Sequence, residues 1–424
     1  MHCARNYFDP AADWVPMETV ISTAPDQIAI APGSLEKEWN SNGRRYFRYK
    51  LDHPSMGFAS FLSARYAVSR EQWQRISIEV YHLKEHPWNV PRMREAIRKS
   101  LAYYTANFGP YPHRQARIIE FPRVAGFAQA YPGTMPYSES VGFIANLESP
   151  GAIDHVFFVV AHEMAHQWWA HQVVGADLQG ATLLSESLAE YSALMVMEKE
   201  YGEGMIGKFL RYDNDFYLKG RANDGKRERP LESVRNEQFH IRYNKGGMAL
   251  YELRQTIGED AMNRALRRLL SQYGYAPPPY PTSYALVDAL RDETPEQYRY
   301  LIRDLFEKIT LFNNHAQSAQ ARKLKDGKYE VTVKCQFQKL KTDYYGRESE
   351  VPLDDWVEVG AFGKGDRLLS RLRLHVTGPG NGVNMFWVST FTVNEKPERA
   401  GLDPLCLFVE KSPDDTMKRV EMVK

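Results

Sequence analysis

The chain has 424 residues, and its 54 basic and 53 acidic side chains leave a formal net charge of +1. That balance gives no electrostatic basis for binding nucleic acid or an anionic membrane surface. Hydrophobic and charged fractions of 43% and 25% are those of a globular protein long enough for more than one core. Cys3, Cys335 and Cys406 are too scattered for a disulfide framework or a thiolate metal site. Residues 1–6 are polar and lack an apolar signal core, and the run 156–161 is too short to cross a bilayer. As written, the chain reads as soluble.

Residues 19–22, 27–31, 45–51 and 65–68 have strand composition, punctuated by Pro25, Pro32, Gly33, Gly43 and Pro54. Ile76, Ile78 and Val80 alternate with polar residues and predict a further strand. From about residue 90 to 315 the pattern turns helical. Pro91 starts a helix running to about Phe108, and Asp154 is placed to cap one reaching Trp169. Others are expected from about Leu183 to Tyr201, from Tyr243 to Ile257 and from a cap near Ser283. Thr294 and Gln297 form a capping-box start for one ending near Leu311. The proline run 277–281 reads as a stiff loop. Residues 329–337, 356–362, 368–376 and 385–393 predict strands of a compact β-sandwich, with a turn at 378–382.

The chemistry is concentrated in His162-Glu163-Met164-Ala165-His166. On a helix, positions i and i+4 project from one face, so two imidazoles there can grip one ion, and neutral imidazole suits zinc. Glu163 lies at the edge of that face, where it serves as general base rather than ligand. The apolar run before the motif and Trp168-Trp169 after it mark a buried helix, in which unpaired imidazoles are costly. Glu186 sits among apolar residues on the next helix and needs a partner for its charge; it is the expected third ligand. Glu190, one turn further, is placed either to orient a ligand histidine or to remain a solvated carboxylate.

This H-E-x-x-H with a glutamate about twenty residues later resembles the gluzincin aminopeptidases, the alanyl-aminopeptidase and leukotriene-hydrolase family. Tyr243-Asn244-Lys245-Gly246 is similar to that family's Y-x-K-G, and the resemblance implies that Tyr243 stabilises the oxyanion. Residues 136–144 lie where the family carries G-A-M-E-N-W-G-L-I, and only the glutamate of that signature is kept. The resemblance implies that Glu139 binds the substrate's free amine; an ion pair with Arg123 is the alternative. Residues 166–186 most resemble the peptidase-like C-terminal domain of bacterial ABC-2-type transporter permeases. Nineteen residues separate His166 from Glu186, one more than is usual in the aminopeptidases.

The resemblance implies an α+β multidomain fold, with a thermolysin-like, mainly helical zinc-peptidase domain flanked by β domains. The expected division is a remnant of an N-terminal β domain over 1–75, a catalytic domain over 76–318 and a β-sandwich over 325–424. The implied function is zinc-dependent peptide hydrolysis, with one zinc ion per chain and aminopeptidase action on a peptide substrate. A non-catalytic peptide-sensing or gating domain of a membrane transporter is the alternative. The transporter resemblance also suggests a membrane-attached parent protein in bacteria. Retention of Glu163 and Tyr243 favours catalysis, since binding alone requires neither a base nor an oxyanion donor.

Overall fold

The computed structural model describes residues 2–8, 12–148, 153–379 and 386–424. The chain divides into two compact units, one of residues 1–197 with 257–294 and one of 198–256 with 295–424. In chain order the N-terminal strands are β1 (Glu18–Thr23), β2 (Ile28–Ile30), β3 (Ser34–Ser41), β4 (Arg44–Lys50), β5 (Leu62–Ala64), β6 (Ala67–Trp73), β7 (Ile76–His82), β8 (Gln115–Phe121) and β9 (Thr134–Ser138). Helices of eleven residues or more, among the described residues, are α1 (Val90–Asn107), α2 (His155–Ala165), α3 (Glu186–Tyr201), α4 (Glu203–Asn223), α5 (Gly246–Ile257), α6 (Glu259–Tyr273) and α7 (Ser283–Glu293).

The first unit is organised by a sheet of order β6-β7-β8-β9. β6 and β7 pair antiparallel, whereas β7, β8 and β9 run parallel, with α1 as the crossover between β7 and β8. Residues 115–120 and all of β9 are buried, as expected of parallel strands covered on both sides. The sequence reading of 90–315 as helical throughout missed both strands. Strands buried on two faces show no alternation, so periodicity does not separate them from short helical runs. After β8 the chain folds back, and residues 127–131 lie antiparallel beside β9, held by Gln129 N–H to Pro136 O (3.1 Å) and Ser138 N–H to Phe127 O (3.0 Å).

In the second unit the strands are β10 (Ile309–Phe312), β11 (His315–Lys323), β12 (Tyr329–Gln336), β13 (Lys339–Thr342), β14 (Glu348–Glu350), β15 (Leu353–Phe362), β16 (Leu368–Gly378), β17 (Phe386–Val393), β18 (Arg399–Leu402), β19 (Met417–Arg419) and β20 (Glu421–Val423). The four-stranded sheets β17-β12-β11-β20 and β16-β15-β18-β19 contribute Val331, Val333, Val357, Val359, Val393 and Leu402 to one apolar cluster. That is how a sandwich buries one face of each sheet. The turn expected at 378–382 lies largely outside the described residues.

Four expected helices end or begin elsewhere. α2 stops at Ala165 rather than Trp169, because the next amides tighten to i→i−3 bonds and Ala170 takes φ 138°. Residues 181–183 form a 3-10 turn, so α3 begins at Glu186 itself. Tyr243 lies in a π-turn, Ile241–Lys245, ahead of α5. The helix expected from Thr294 to Leu311 is short 3-10, α and π segments ending at Glu307. There the Thr294 hydroxyl donates back to Leu290 O at 2.7 Å instead of capping forward, and β10 is drawn into pairing with β13.

Candidate metal centre

α2 is fixed before its functional residues are reached. The Asp154 carboxylate caps it by accepting the Phe157 N–H at 2.9 Å, and is held in turn by Arg92 Nε at 2.7 Å. The Tyr104 hydroxyl of α1 donates to Ala161 O at 2.9 Å. Residues 160–165 are buried. At the helix end the chain turns so that the Trp169 carbonyl comes back to His166 Nδ1, 2.9 Å away. Trp169 is itself anchored, its indole N–H donating to Ser192 Oγ of α3 at 3.0 Å.

His162 Nδ1 faces Glu190 Oε2 at 3.0 Å. Both Nδ1 partners, a carboxylate and a backbone carbonyl, only accept, so both Nδ1 atoms carry the proton in the neutral rings. Each Nε2 is then a bare lone pair, and the two lie 3.1 Å apart. Glu186 Oε2 lies 3.4 Å from His162 Nε2 and 3.3 Å from His166 Nε2. Three potential ligand atoms thus converge on one point, where positive charge, whether a metal ion or a proton on a ring, offsets their mutual repulsion. Ligands about 2.0–2.1 Å from a tetrahedral ion stand about 3.3 Å from one another. The triad's edges of 3.1, 3.3 and 3.4 Å match that spacing, so these residues fit a divalent metal ion.

The local field has the same sense. Burial opposes charge on His162, but Glu190 and Glu186 outweigh it and hold the imidazole well above its usual range. Burial likewise opposes ionisation of Glu186, and the two histidines overcome it and hold that carboxyl well below the usual range. Glu163 is pushed up, chiefly by burial. Among the described residues its Oε2 has no hydrogen-bond partner, while the Ala130 backbone donates to its carboxylate. Ala130 O accepts from His171 Nε2 at 3.1 Å, and burial drives the His171 pKa down to about 3, so this histidine is a neutral strut.

The other sequence-derived residues fall in two places. Glu139 opens a π-turn at the end of β9 and clusters with His86 and Glu120, with Arg123 Nε 3.4 Å from its carboxylate. Tyr243 is half-buried in the second unit, with the Arg242 guanidinium 3.5 Å from its hydroxyl and the Phe239 ring parallel to its own. The sequence reading missed Ala130 and the Trp169 carbonyl. Both act through the backbone, which residue identities do not reveal. The Tyr137 side chain was missed too: it is fully buried, and Glu163 helps raise its pKa.

A helix carrying two histidines and a glutamate, beside a second helix that supplies a carboxylate, defines the metallopeptidase class. Residues 93–299 match the family model for the peptidase family M1 domain. The chain is 26% identical over 189 residues to human endoplasmic reticulum aminopeptidase 2, covering 43% of this chain and 20% of that protein. It is 26% identical over 191 residues to probable aminopeptidase 1 of Sulfurisphaera tokodaii, covering 43% and 24%. The chain therefore spans about a quarter or less of these relatives. Among solved structures, Legionella pneumophila aminopeptidase A in complex with aspartic acid superposes with a TM-score of 0.59 at 16% identity, over 96% of this chain and 45% of that one. The M1 zinc metallopeptidase from Deinococcus radiodurans gives 0.54 at 18%, over 70% and 65%. The fold is thus a multidomain α+β fold similar to that of M1 aminopeptidases, and the matches together support a metallopeptidase.

Proposed function

We propose that this chain is a zinc-dependent aminopeptidase, holding one zinc ion through His162, His166 and Glu186 and removing N-terminal residues from peptides. The observation that carries the proposal is the convergence of the two imidazole Nε2 atoms and a Glu186 carboxylate oxygen at 3.1–3.4 Å. The family match over 93–299 supports it. Zinc, when bound, supplies Lewis-acid polarisation and makes a water more acidic at neutral pH.

The chain's own residues do the remaining work. Glu163, with one carboxylate oxygen unpartnered, takes the proton of the attacking water and passes it to the leaving amine. Glu190 holds His162 in the tautomer that presents Nε2. The Tyr243 hydroxyl donates to the developing oxyanion. Glu139 binds the substrate's ammonium group, in competition with Arg123, whose Nε lies 3.4 Å from that carboxylate. The wording of residues 166–186 supports a transporter-linked parent protein; among the described residues no helix is long and apolar enough to cross a membrane.

The test is turnover of aminoacyl reporter amides with free and with acetylated N-termini. Cleavage of the free forms and not the blocked ones is expected. Cleavage of both alike would remove the aminopeptidase reading while leaving a peptidase, and cleavage of neither would remove both.

A further inference from the structure

Tyr243 sits in a π-turn that is gripped on both sides by the helix before it. Its chain neighbour Asn244 donates through Nδ2 to Asp213 Oδ1 of α4 at 2.8 Å. The next residue, Lys245, is buried, with its ammonium 3.1 Å from Glu228 Oε1 and 3.5 Å from the Tyr217 hydroxyl. Glu228 is fixed in turn by the Tyr217 hydroxyl (2.6 Å) and by Arg221 Nε (2.7 Å), both from α4. The residue that opens the turn, His240, presses on Gly220 of α4 so closely that a Cβ there would lie 2.4 Å from its Cβ and Cγ. Three successive turns of α4, at Asp213, Tyr217 and Gly220, therefore contact the segment on either side of Tyr243.

Stability alone does not explain this arrangement. A buried ion pair stabilises a fold little relative to apolar side chains of the same volume, but it does impose one geometry. A π-turn gives up the regular i→i−4 bonding of an α-helix and recurs at functional sites. Here the wide turn is held open by side chains of another helix, and the residue at its centre is the tyrosine.

We propose that Glu228, Lys245, Asp213 and the Gly220–His240 contact form a strut whose role is to aim the Tyr243 hydroxyl, making them positioning residues for the reaction. This rests on the reading of Tyr243 as the oxyanion donor. An oxyanion donor is useful only where charge develops, so a displacement well under the length of a hydrogen bond costs rate and not substrate affinity.

The experiment is steady-state hydrolysis of an aminoacyl anilide by the zinc-loaded chain carrying Glu228→Gln or Gly220→Ala, each alone and combined with Tyr243→Phe. Each strut variant should lower kcat about ten-fold with KM and zinc content little changed. Neither should lower kcat further once Tyr243→Phe is present. Equal losses in both backgrounds, a loss confined to KM, or wild-type kcat in both variants overturns the strut. Tyr243→Phe at wild-type kcat instead removes the oxyanion reading, a result distinguishable from any of these. If Glu228→Gln fails to fold, Gly220→Ala and Asp213→Asn, which leave that ion pair intact, decide the matter by the same comparison.

Discussion

Glu190 Oε2 lies 3.0 Å from His162 Nδ1, on the side of the ring away from His166. The contact fixes which nitrogen of His162 is protonated and therefore which one is free to bind a metal ion. Outer partners of this kind typically account for 10–100-fold of metal affinity. Glu190→Ala, which removes the acceptor for that nitrogen, is expected to weaken zinc binding by about that factor, measured by competition against a chelator of known affinity. Unchanged affinity would reduce Glu190 to a bystander.

The Trp169 indole donates to Ser192 Oγ, and Ser192 donates onward to Leu188 O at 2.6 Å. Both side chains are fully buried. Ser192→Ala leaves the indole N–H without an acceptor, a loss of about 1–3 kcal/mol in unfolding free energy. Urea denaturation of the two proteins checks this, and coincident midpoints would show that the indole finds another acceptor.

Burial pushes the Asp403 carboxyl up to about 7, against the lowering effect of the Phe408 and Leu407 N–H groups it accepts; Glu358 adds to the rise and Arg371 opposes it. The folded state thus keeps this proton between about pH 4 and 7, where the unfolded chain has released it. Its contribution is fully present below about pH 4 and is lost as pH rises to about 7. Asp403→Asn cannot titrate, so the stability difference between wild type and variant should shift in the variant's favour from pH 5 to pH 8. A difference that stays constant across that range contradicts the assignment.

Glu139→Ala separates the two readings of that residue. As the ammonium partner, its loss should abolish the preference for free over acetylated N-termini, with the acetylated peptide cut no faster than before. As a mere partner of Arg123, its loss should leave the preference untouched.

The convergence of the two histidines was legible in the sequence because it depends on helical period. His162 and His166 converge because four residues make about one turn, and Glu186 converges with them because α3 begins with it. Less was legible where the backbone departs from regular period. His166 terminates α2, and its orienting partner is a main-chain carbonyl. Glu139 and Tyr243 lie in π-turns, which no apolar spacing announces. α4 and α6 were not singled out in the sequence, and α4 carries glycines, which are poor helix formers. Two of them serve close packing: Gly220 against His240, and Gly207, where a Cβ would meet Leu405 and Pro404 at 3.4 Å.

In the proposed mechanism a metal held by His162, His166 and Glu186 works with Glu163 as base. Glu163→Gln changes one atom of the base and none of the three proposed ligands. Zinc content and hydrolysis of an aminoacyl anilide, measured on wild type and on this variant, test that mechanism most directly. One zinc per chain in both proteins is expected, with turnover in wild type and a loss of about three orders of magnitude or more in the variant. Turnover at comparable rates in both, or none in the zinc-loaded wild type, would contradict it.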